Sequence, residues 1–395
     1  MQAEFLLFGS TLAGVALFHR QSLPIAAAGL AAIVAWDWAF AEFPAGSGLA
    51  GITAHFAREW VVFANLLLLL VGFALLAAQF EASGLPRAMP ELLPDGWVGA
   101  LALLAIVFVI SGFLDNIAAA LIGGAMAHTL FRGRVRVGYL AAIVAAANAG
   151  GAGSVIGDTT TSMMWISGVA PAEVLHAYVA SGVAFLLFGV PAARSQQRFA
   201  PILKEAGPGL AVDWARVAIV SFILASAVAV NLGITASAPS LSERFPFIGV
   251  TVALATLLTS AWRRPDLGVL PGALKGSLFL LCLVASASLM PVAALPVPTP
   301  GSALALGFVS AFFDNIPLTA LALRQGGYDW GVLAYAVGFG GSMLWFGSSA
   351  GVAICNMYPE ARSTARWLGE GWPVALAYVA GFAALVAALG WNPGA

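Results

Sequence analysis

Long apolar runs dominate this chain, each about the length a helix needs to cross roughly 30 Å of hydrocarbon, and short charged or proline-rich breaks separate them. Clear runs cover about 3–18, 24–41, 59–80, 173–192, 214–233, 246–262, 268–291 and 372–390. They are continuously apolar rather than alternating, which excludes a transmembrane barrel. Four further stretches are apolar but interrupted. Residues 97–131 carry Asp115-Asn116 in their middle, and residues 301–325 carry Asp314-Asn315. Residues 137–166 are broken by Asn148-Ala-Gly-Gly-Ala-Gly-Ser154 and by Gly157-Asp-Thr-Thr-Thr161. Residues 330–358 are broken by Gly338-Phe-Gly-Gly-Ser342 and by Gly347-Ser-Ser-Ala-Gly351. Backbone polar groups must be satisfied in hydrocarbon, so a broken helix persists only inside protein or against a water-filled cavity. Interruptions at corresponding places in two halves point to a transporter's binding site.

The halves do correspond. Phe113-Leu-Asp-Asn-Ile117 matches Phe312-Phe-Asp-Asn-Ile316 at an offset of 199. Gly150-Gly151 and Gly157 match Gly340-Gly341 and Gly347 at an offset of 190. The difference falls in one connector, which reads as an internal duplication. If each Asp-Asn stretch is a re-entrant hairpin, five crossings separate the two and the repeats are inverted. Fourteen Lys and Arg residues then fall on one side or at its edge, among them Arg20, Arg87 and Lys204, and three (Arg58, Arg244, Arg324) on the other. The positive-inside bias assigns the first side to the cytoplasm. Treating either hairpin as a simple span still gives 13 against 4, so charge supports the hairpins without requiring them.

The expected fold is therefore an all-α polytopic membrane protein. It reads as an inverted-repeat transporter with about 11 transmembrane segments, two of them broken helices, plus two re-entrant hairpins. N-terminal spans occupy 1–58, and a first inverted repeat occupies 59–192, with its hairpin at 97–131 and broken helix at 137–166. A cytoplasmic linker at 193–213 leads to a second repeat at 214–390, with its hairpin at 301–325, its broken helix at 330–358, and a tail at 391–395. Glu4 precedes the first span and Arg20 follows it, which reads as an uncleaved span with both termini outside.

Composition narrows the class further. Of 395 residues, 9% are charged and 61% are hydrophobic. A soluble domain is about a quarter charged, so a soluble enzyme, disorder, coiled coil and nucleic-acid binding are excluded. The net charge of −1 selects no partner. Cys282 and Cys355 lie in apolar runs without a CxxC and read as buried free thiols. No Walker loop, zinc motif or nucleophile elbow is present, so no cofactor and no enzymatic activity are expected.

Scarce charge gives weight to the acids at mid-span. A carboxylate at the bilayer centre costs about 2.5–3.5 kcal/mol on the insertion scale, yet Asp115, Asp158 and Asp314 all stand at helix breaks. With Asn116, Asn148 and Asn315 and the hydroxyls of Ser154, Thr159, Thr160, Thr161, Ser342, Ser348 and Ser349, they make an oxygen-rich set. Hard cations such as Na⁺ select oxygen ligands, and opened helices add carbonyls. An Asp can also hold a proton in place of a metal ion. Capping competes with this reading, because an Asp-Asn pair can satisfy orphan N–H groups where a hairpin turns. Asn116 and Asn315 fit a cap, a ligand or both; three hydroxyls directly after Asp158 weigh against a cap alone there. The Gly-Gly pairs serve either the break or close helix packing. Asp37 is expected at the membrane interface. Trp60, Trp97, Trp214, Trp262, Trp330 and Trp372 are expected as interfacial anchors, and Trp165 and Trp345 as walls of a cavity.

Asn148-Ala-Gly-Gly-Ala-Gly-Ser-Val-Ile-Gly-Asp-Thr-Thr-Thr161 resembles the signature of NhaD-type sodium/proton antiporters, which reads close to NAGGAWSPIGDVTT. Asp314-Asn-Ile-Pro317, Gly340-Gly-Ser342 and Gly347-Ser-Ser-Ala-Gly-Val352 are similar to that family's second-half motifs, and the likeness runs from about residue 60 to 390. Gly153 and Val155 stand where the signature has Trp and Pro, and Ala118 where the first tip usually has Pro. The resemblance implies the wider ion transporter superfamily, which includes citrate, dicarboxylate and arsenite carriers. It also implies a dimer whose scaffold domains hold a moving transport domain of two hairpins and two broken helices. The ion site would lie at Asp115-Asn116, Asp158 with Thr159 to Thr161, and Asp314-Asn315. The expected function is exchange of Na⁺ (or Li⁺) for H⁺ across the cytoplasmic membrane by alternating access, with homodimerisation through the scaffold spans. The alternative is a Na⁺- or H⁺-coupled symporter of an organic anion such as citrate. Carboxylates line the breaks while positive residues, apart from Lys275, lie in loops or near span ends, which favours a cation.

Overall fold

The computed structural model describes residues 3–18, 21–44, 46–89, 93–202, 211–237, 241 and 244–394. Arg20, Lys204 and linker residues 203–210 lie outside the described residues, as does the side chain of Arg87. The chain is an all-α, multi-pass membrane protein. Six helices are long and apolar enough to cross a bilayer: Ser22–Phe40, Gly48–Ala82, Pro171–Phe199, Trp214–Ile234, Leu267–Ser288 and Thr364–Leu389. Shorter apolar helices accompany them, among them Gly96–Ser111, Asn116–Leu130, Val137–Ala152 and Pro300–Ser310. Among the described residues the strands are a two-residue ribbon, Glu42–Phe43 antiparallel to Gly46–Ser47.

The chain divides into two compact units, neither of them a contiguous stretch. The first comprises residues 1–78, 218–296 and 319–325. Within it, Ser22–Phe40 packs against both Ala3–Leu17 and Leu270–Ser288. Gly29 allows the first of these contacts, since a Cβ there would collide with Thr11. Helix Gly48–Ala82 begins well before the predicted span at 59. Its 35 residues extend about 50 Å at 1.5 Å per residue, so it projects beyond the hydrocarbon, and the extension carries His55 and Arg58. His55 Nε2 lies 3.0 Å from Ser288 Oγ, and Glu59 pairs with Arg324 at 4.0 Å.

Asp37 departs from expectation. It is 1% exposed, and neither carboxylate oxygen has a hydrogen-bond partner among the described residues. Position near a helix end suggested the interface, but helical phase decides: Ala26, Ile33 and Asp37 form the buried face of this helix.

The second unit comprises residues 79–217, 297–318 and 326–395. Its centre is Val137–Ala152, packed by Gly96–Ser111, Asn116–Leu130, Ala177–Phe199, Trp330–Gly340 and Thr364–Leu389. A helix surrounded in this way is apolar all round, and its many alanines allow close approach. Trp330–Gly340 is buried along its whole length. Both helices stop abruptly. Val137–Ala152 gives way to a non-helical segment before Thr159–Ile166, and Trp330–Gly340 gives way to a 3₁₀ turn at Gly341–Met343 before Ser349–Met357. Gly150 sits against the Phe108 carbonyl and Gly340 against the Gly307 carbonyl, each too close for a Cβ. These contacts recur at the two sequence offsets.

Two boundaries differ from the hydropathy reading. Ala177–Phe199 continues through Pro191 and carries Arg194 and Arg198 on its last turns, where a linker was expected. Trp330 is buried rather than interfacial, because the segment after the last helix folds over that end. The Asn392 N–H donates to Asp329 Oδ2 at 2.9 Å, and Tyr328 lies between Trp330 and Trp391. Trp60, Trp214, Trp262 and Trp372 are exposed, and Trp97 is half-buried.

Gly150→Ala and Gly340→Ala each force a methyl onto a backbone carbonyl. Each should destabilise the purified protein by about 1–3 kcal/mol or more. Gly182→Ala and Gly272→Ala, which meet open space, should remain within about 0.5 kcal/mol of wild type. Thermal unfolding in detergent reads the difference, and equal melting for all four variants would contradict the packing described.

Candidate functional site

Asp158 lies at the centre of the polar residues in the second unit and is 3% exposed. It is the N-cap residue of Thr159–Ile166, with extended backbone, yet its side chain makes no capping bond. The carboxylate turns inward instead. Asn116 Nδ2 donates to Oδ1 at 3.3 Å, Asn315 Nδ2 to Oδ2 at 3.3 Å, and Thr160 Oγ1 to Oδ2 at 2.6 Å. The Asn116 amide also donates to Asn148 Oδ1 at 3.0 Å. Asn148 Nδ2 in turn donates to Ser342 Oγ at 2.9 Å and to Ser348 Oγ at 3.2 Å. Six of the residues singled out from sequence thus join Asp158 in one buried network: Asn116, Asn148, Thr160, Asn315, Ser342 and Ser348.

The remaining candidates serve the ends of the breaks. Asp115 accepts the Ile117 N–H at 3.1 Å, and Asp314 accepts the Ile316 N–H at 3.1 Å. Capping therefore falls to the aspartates of the two Asp-Asn pairs, and the asparagines supply the inward amides. Asp314 also accepts from Ser349 Oγ at 2.9 Å. Ser154 Oγ donates to the Gly112 carbonyl at 2.6 Å, tying the first break to the first tip. Thr161 Oγ1 donates to the Ser154 carbonyl at 2.5 Å and to the Asp158 carbonyl at 2.9 Å. These hydroxyls add hydrogen bonds to carbonyls around the break, where the Ser154 carbonyl also accepts the Gly157 N–H and the Asp158 carbonyl the Ser162 N–H. Thr159 is buried, and its hydroxyl joins no hydrogen bond among the described residues.

Three hydroxyls escaped the sequence reading. Ser162 Oγ donates to the Val155 carbonyl at 2.9 Å, Ser111 Oγ to Ala147 at 2.5 Å and Ser310 Oγ to Val337 at 2.7 Å. The last two are equivalent under the offsets of 199 and 190, a signal present in the sequence at Ser111 and Ser310. Gly153 stands where the resembling signature has Trp. A Cβ there would lie 2.5 Å from the ring of Tyr178, whose hydroxyl donates to the Gly150 carbonyl at 3.0 Å. Tyr178 therefore fills the space beside the break. Trp165 is buried, and Trp345 Nε1 donates to Thr364 Oγ1 at 3.1 Å.

The two halves contribute unequally. Gly151 faces the Asp158 Cβ and Gly341 faces the Ser348 Cβ, each at 3.1 Å, so Ser348 occupies in one half the place of Asp158 in the other. Gly338 likewise stands at the position equivalent to Asn148. A Cβ on Gly338 would approach Asp158 Oδ2 to 3.3 Å, so this glycine keeps one flank of the carboxylate clear. Asp115 and Asp314 each precede an asparagine that donates to Asp158, which places the three acids in one region. Among the described residues no Lys or Arg pairs with any of them. No three His, Cys, Asp or Glu side chains converge to hold a metal ion among those residues either. An anionic carboxylate buried without a cationic partner is unfavourable; a proton or a small cation from solution can balance it.

No family model matches the chain. The chain is 31% identical over 290 residues, 64% of its length, to sodium/proton antiporter 1 of Arabidopsis thaliana, and it spans 49% of that protein. It is 28% identical over 289 residues, 63% of its length, to sodium/proton antiporter 2 of Arabidopsis thaliana, and it spans 67% of that one. The chain thus spans about half the length of the first relative. Both relatives are named as antiporters, and neither is named as an enzyme.

Asn148 bonds three partners, so Asn148→Leu removes three buried hydrogen bonds and orphans the Ser342 hydroxyl, while Asn116 keeps Asp158 and Ser348 keeps the Gly351 N–H. Each orphaned group costs about 1–3 kcal/mol, and the expected result is a melting temperature lowered by ten degrees or more, or loss of folded protein. A melting temperature within a degree of wild type would show that the network contributes little.

Proposed function

We propose that this chain is an NhaD-type sodium/proton antiporter of the ion transporter superfamily, exchanging Na⁺ or Li⁺ for H⁺ by alternating access. The observation that carries the reading is the surroundings of Asp158: a buried carboxylate held by Asn116, Thr160 and Asn315, with no basic side chain among the described residues to balance it. The likeness to two proteins named sodium/proton antiporters supports it.

In the proton-loaded state Asp158 carries the proton and is neutral. When the proton leaves, Asp158 gains a single negative charge, and a monovalent cation balances it. An Asn amide carries an acceptor as well as two donors. Rotation of the Asn116 and Asn315 amides would replace N–H donors with oxygens, so the same side chains can serve either occupant. Ser342, Ser348, Thr159 and the carbonyls freed at the breaks complete the oxygen set. Asp115 and Asp314 keep the tips folded and add negative potential around the site. Because proton and metal share one carboxylate, they exclude each other, and that exclusion couples the two gradients.

In this reading the Asp-Asn helix pairs are re-entrant hairpins and the halves are inverted repeats. The second compact unit is the transport domain of an elevator mechanism, and the first is the scaffold through which two copies dimerise. The protein sits in the cytoplasmic membrane with both termini outside.

Everted membrane vesicles with an imposed proton gradient provide the test. Addition of Na⁺ or Li⁺ should collapse the gradient, and a tenfold rise in proton concentration should raise the Na⁺ needed for half-maximal exchange by up to about tenfold. Asp158→Asn keeps the shape and should abolish exchange in a folded protein. Thr160→Val removes one hydrogen bond to the carboxylate and should shift the half-maximal Na⁺ concentration by about tenfold. Uptake driven by citrate, without any response to Na⁺ or Li⁺ as exchange substrate, would replace this reading with organic-anion symport.

A further inference from the structure

The last turns of Ala177–Phe199 border a cavity of about 560 Å³, whose polar side is formed by Arg136, Arg194, Ser195 and Arg198 and whose apolar side includes Val190 and Pro191. Its volume falls in the range of roughly 300–1,000 Å³ usual for ligand sites. Arg136 is fixed in place: Nη1 donates to Ser195 Oγ at 2.8 Å, and Nε pairs with Glu370 Oε2 at 3.2 Å. Glu370 also pairs with Arg366 at 3.6 Å and accepts the Gly138 N–H at 3.3 Å. The other two arginines have no such balance. The Arg194 guanidinium lies 4.7 Å above the Trp97 ring, and among the described residues neither Arg194 nor Arg198 pairs with a carboxylate. Two positive charges therefore face the cavity without a carboxylate partner among the described residues.

The surface leading to them identifies the ligand. Leu186, Leu187, Pro191, Arg194 and Arg198 are all exposed, and from Leu187 onward they follow at steps of three or four residues. Residues at that spacing share one helix face. The face is thus an apolar stripe that ends in two arginines, beside Trp97 and the exposed ring of Phe199. Free phosphate has no use for the apolar stripe, and a zwitterionic headgroup would not neutralise the charge. We propose that the cavity binds the phosphodiester of an anionic phospholipid, whose acyl chain lies along Leu186, Leu187 and Pro191. Arg194 and Arg198 meet the phosphate oxygens, while Arg136, held by Glu370, orients Ser195. The inference requires the helix to face lipid and is independent of which ion is carried.

Native mass spectrometry of the purified full chain in detergent, titrated with phosphatidylglycerol, phosphatidylcholine or inorganic phosphate, tests it. Phosphatidylglycerol should be retained in preference to phosphatidylcholine, and inorganic phosphate at equal concentration should fail to displace it. A basic residue near a membrane surface contributes about fivefold to anionic-lipid binding. Arg198→Gln breaks no contact among the described residues, so its expected fivefold weakening is free of folding effects. Arg194→Gln combined with Arg198→Gln should weaken binding about thirtyfold. Equal retention of the two lipids, or wild-type binding by Arg198→Gln, would overturn the proposal. Displacement by inorganic phosphate would overturn the lipid assignment in favour of a free anion.

Discussion

A carboxylate held in the protein interior without a basic partner among the described residues is the constraint on which the second unit depends. Asp158 needs donors, and low dielectric makes each missing one expensive. Its three donors come from a tip in each half and from its own helix. Asn116 and Asn315 can reach it only if both tips end beside the first break. Asp115 and Asp314 secure those ends by holding the first turns of the helices that follow them. The candidate site is thus also the set that determines where these helix ends are placed.

Bringing helix ends together inside a bilayer creates a second demand, because each end leaves backbone groups without partners. The chain answers with short hydroxyl side chains and with glycine. Thr161, Ser162, Ser154, Ser111 and Ser310 each donate to a carbonyl at or near a break. Gly150 and Gly340 let one backbone approach another where no side chain would fit. Neither device is chemically distinctive, which is why the serines outside the motif passed unnoticed in sequence while the aspartates did not.

Polar side chains away from the centre show the same competition between burial and partnership. Asp37 is buried in the first unit with both oxygens unpartnered, and Arg198 in the second is exposed with no partner among the described residues. Hydropathy averages over a window and so is blind to helical phase. It placed Asp37 at an interface because of its distance from a helix end, and it ended a helix before Arg194 because charge replaced apolar residues. Both differences arise from which face of the helix meets its neighbours.

The apolar runs, their interruptions, the paired Asp-Asn and Gly-Gly signals and the three central aspartates were all legible in the chain, because bilayer thickness and the cost of buried charge leave few ways to read them. The three hydroxyls after Asp158 weigh against a cap there, but the enclosure of its carboxylate was not legible. Asp115 and Asp314 cap their own helices through local bonds, whereas amides from two distant segments enclose Asp158. The pairing of Asn148 with Ser342 and Ser348 and the gathering of segments from both halves into each compact unit likewise appear only in three dimensions. A hydrogen bond depends on distances of a few ångströms between residues as many as 234 positions apart, and periodicity along one strand of sequence carries no such distance.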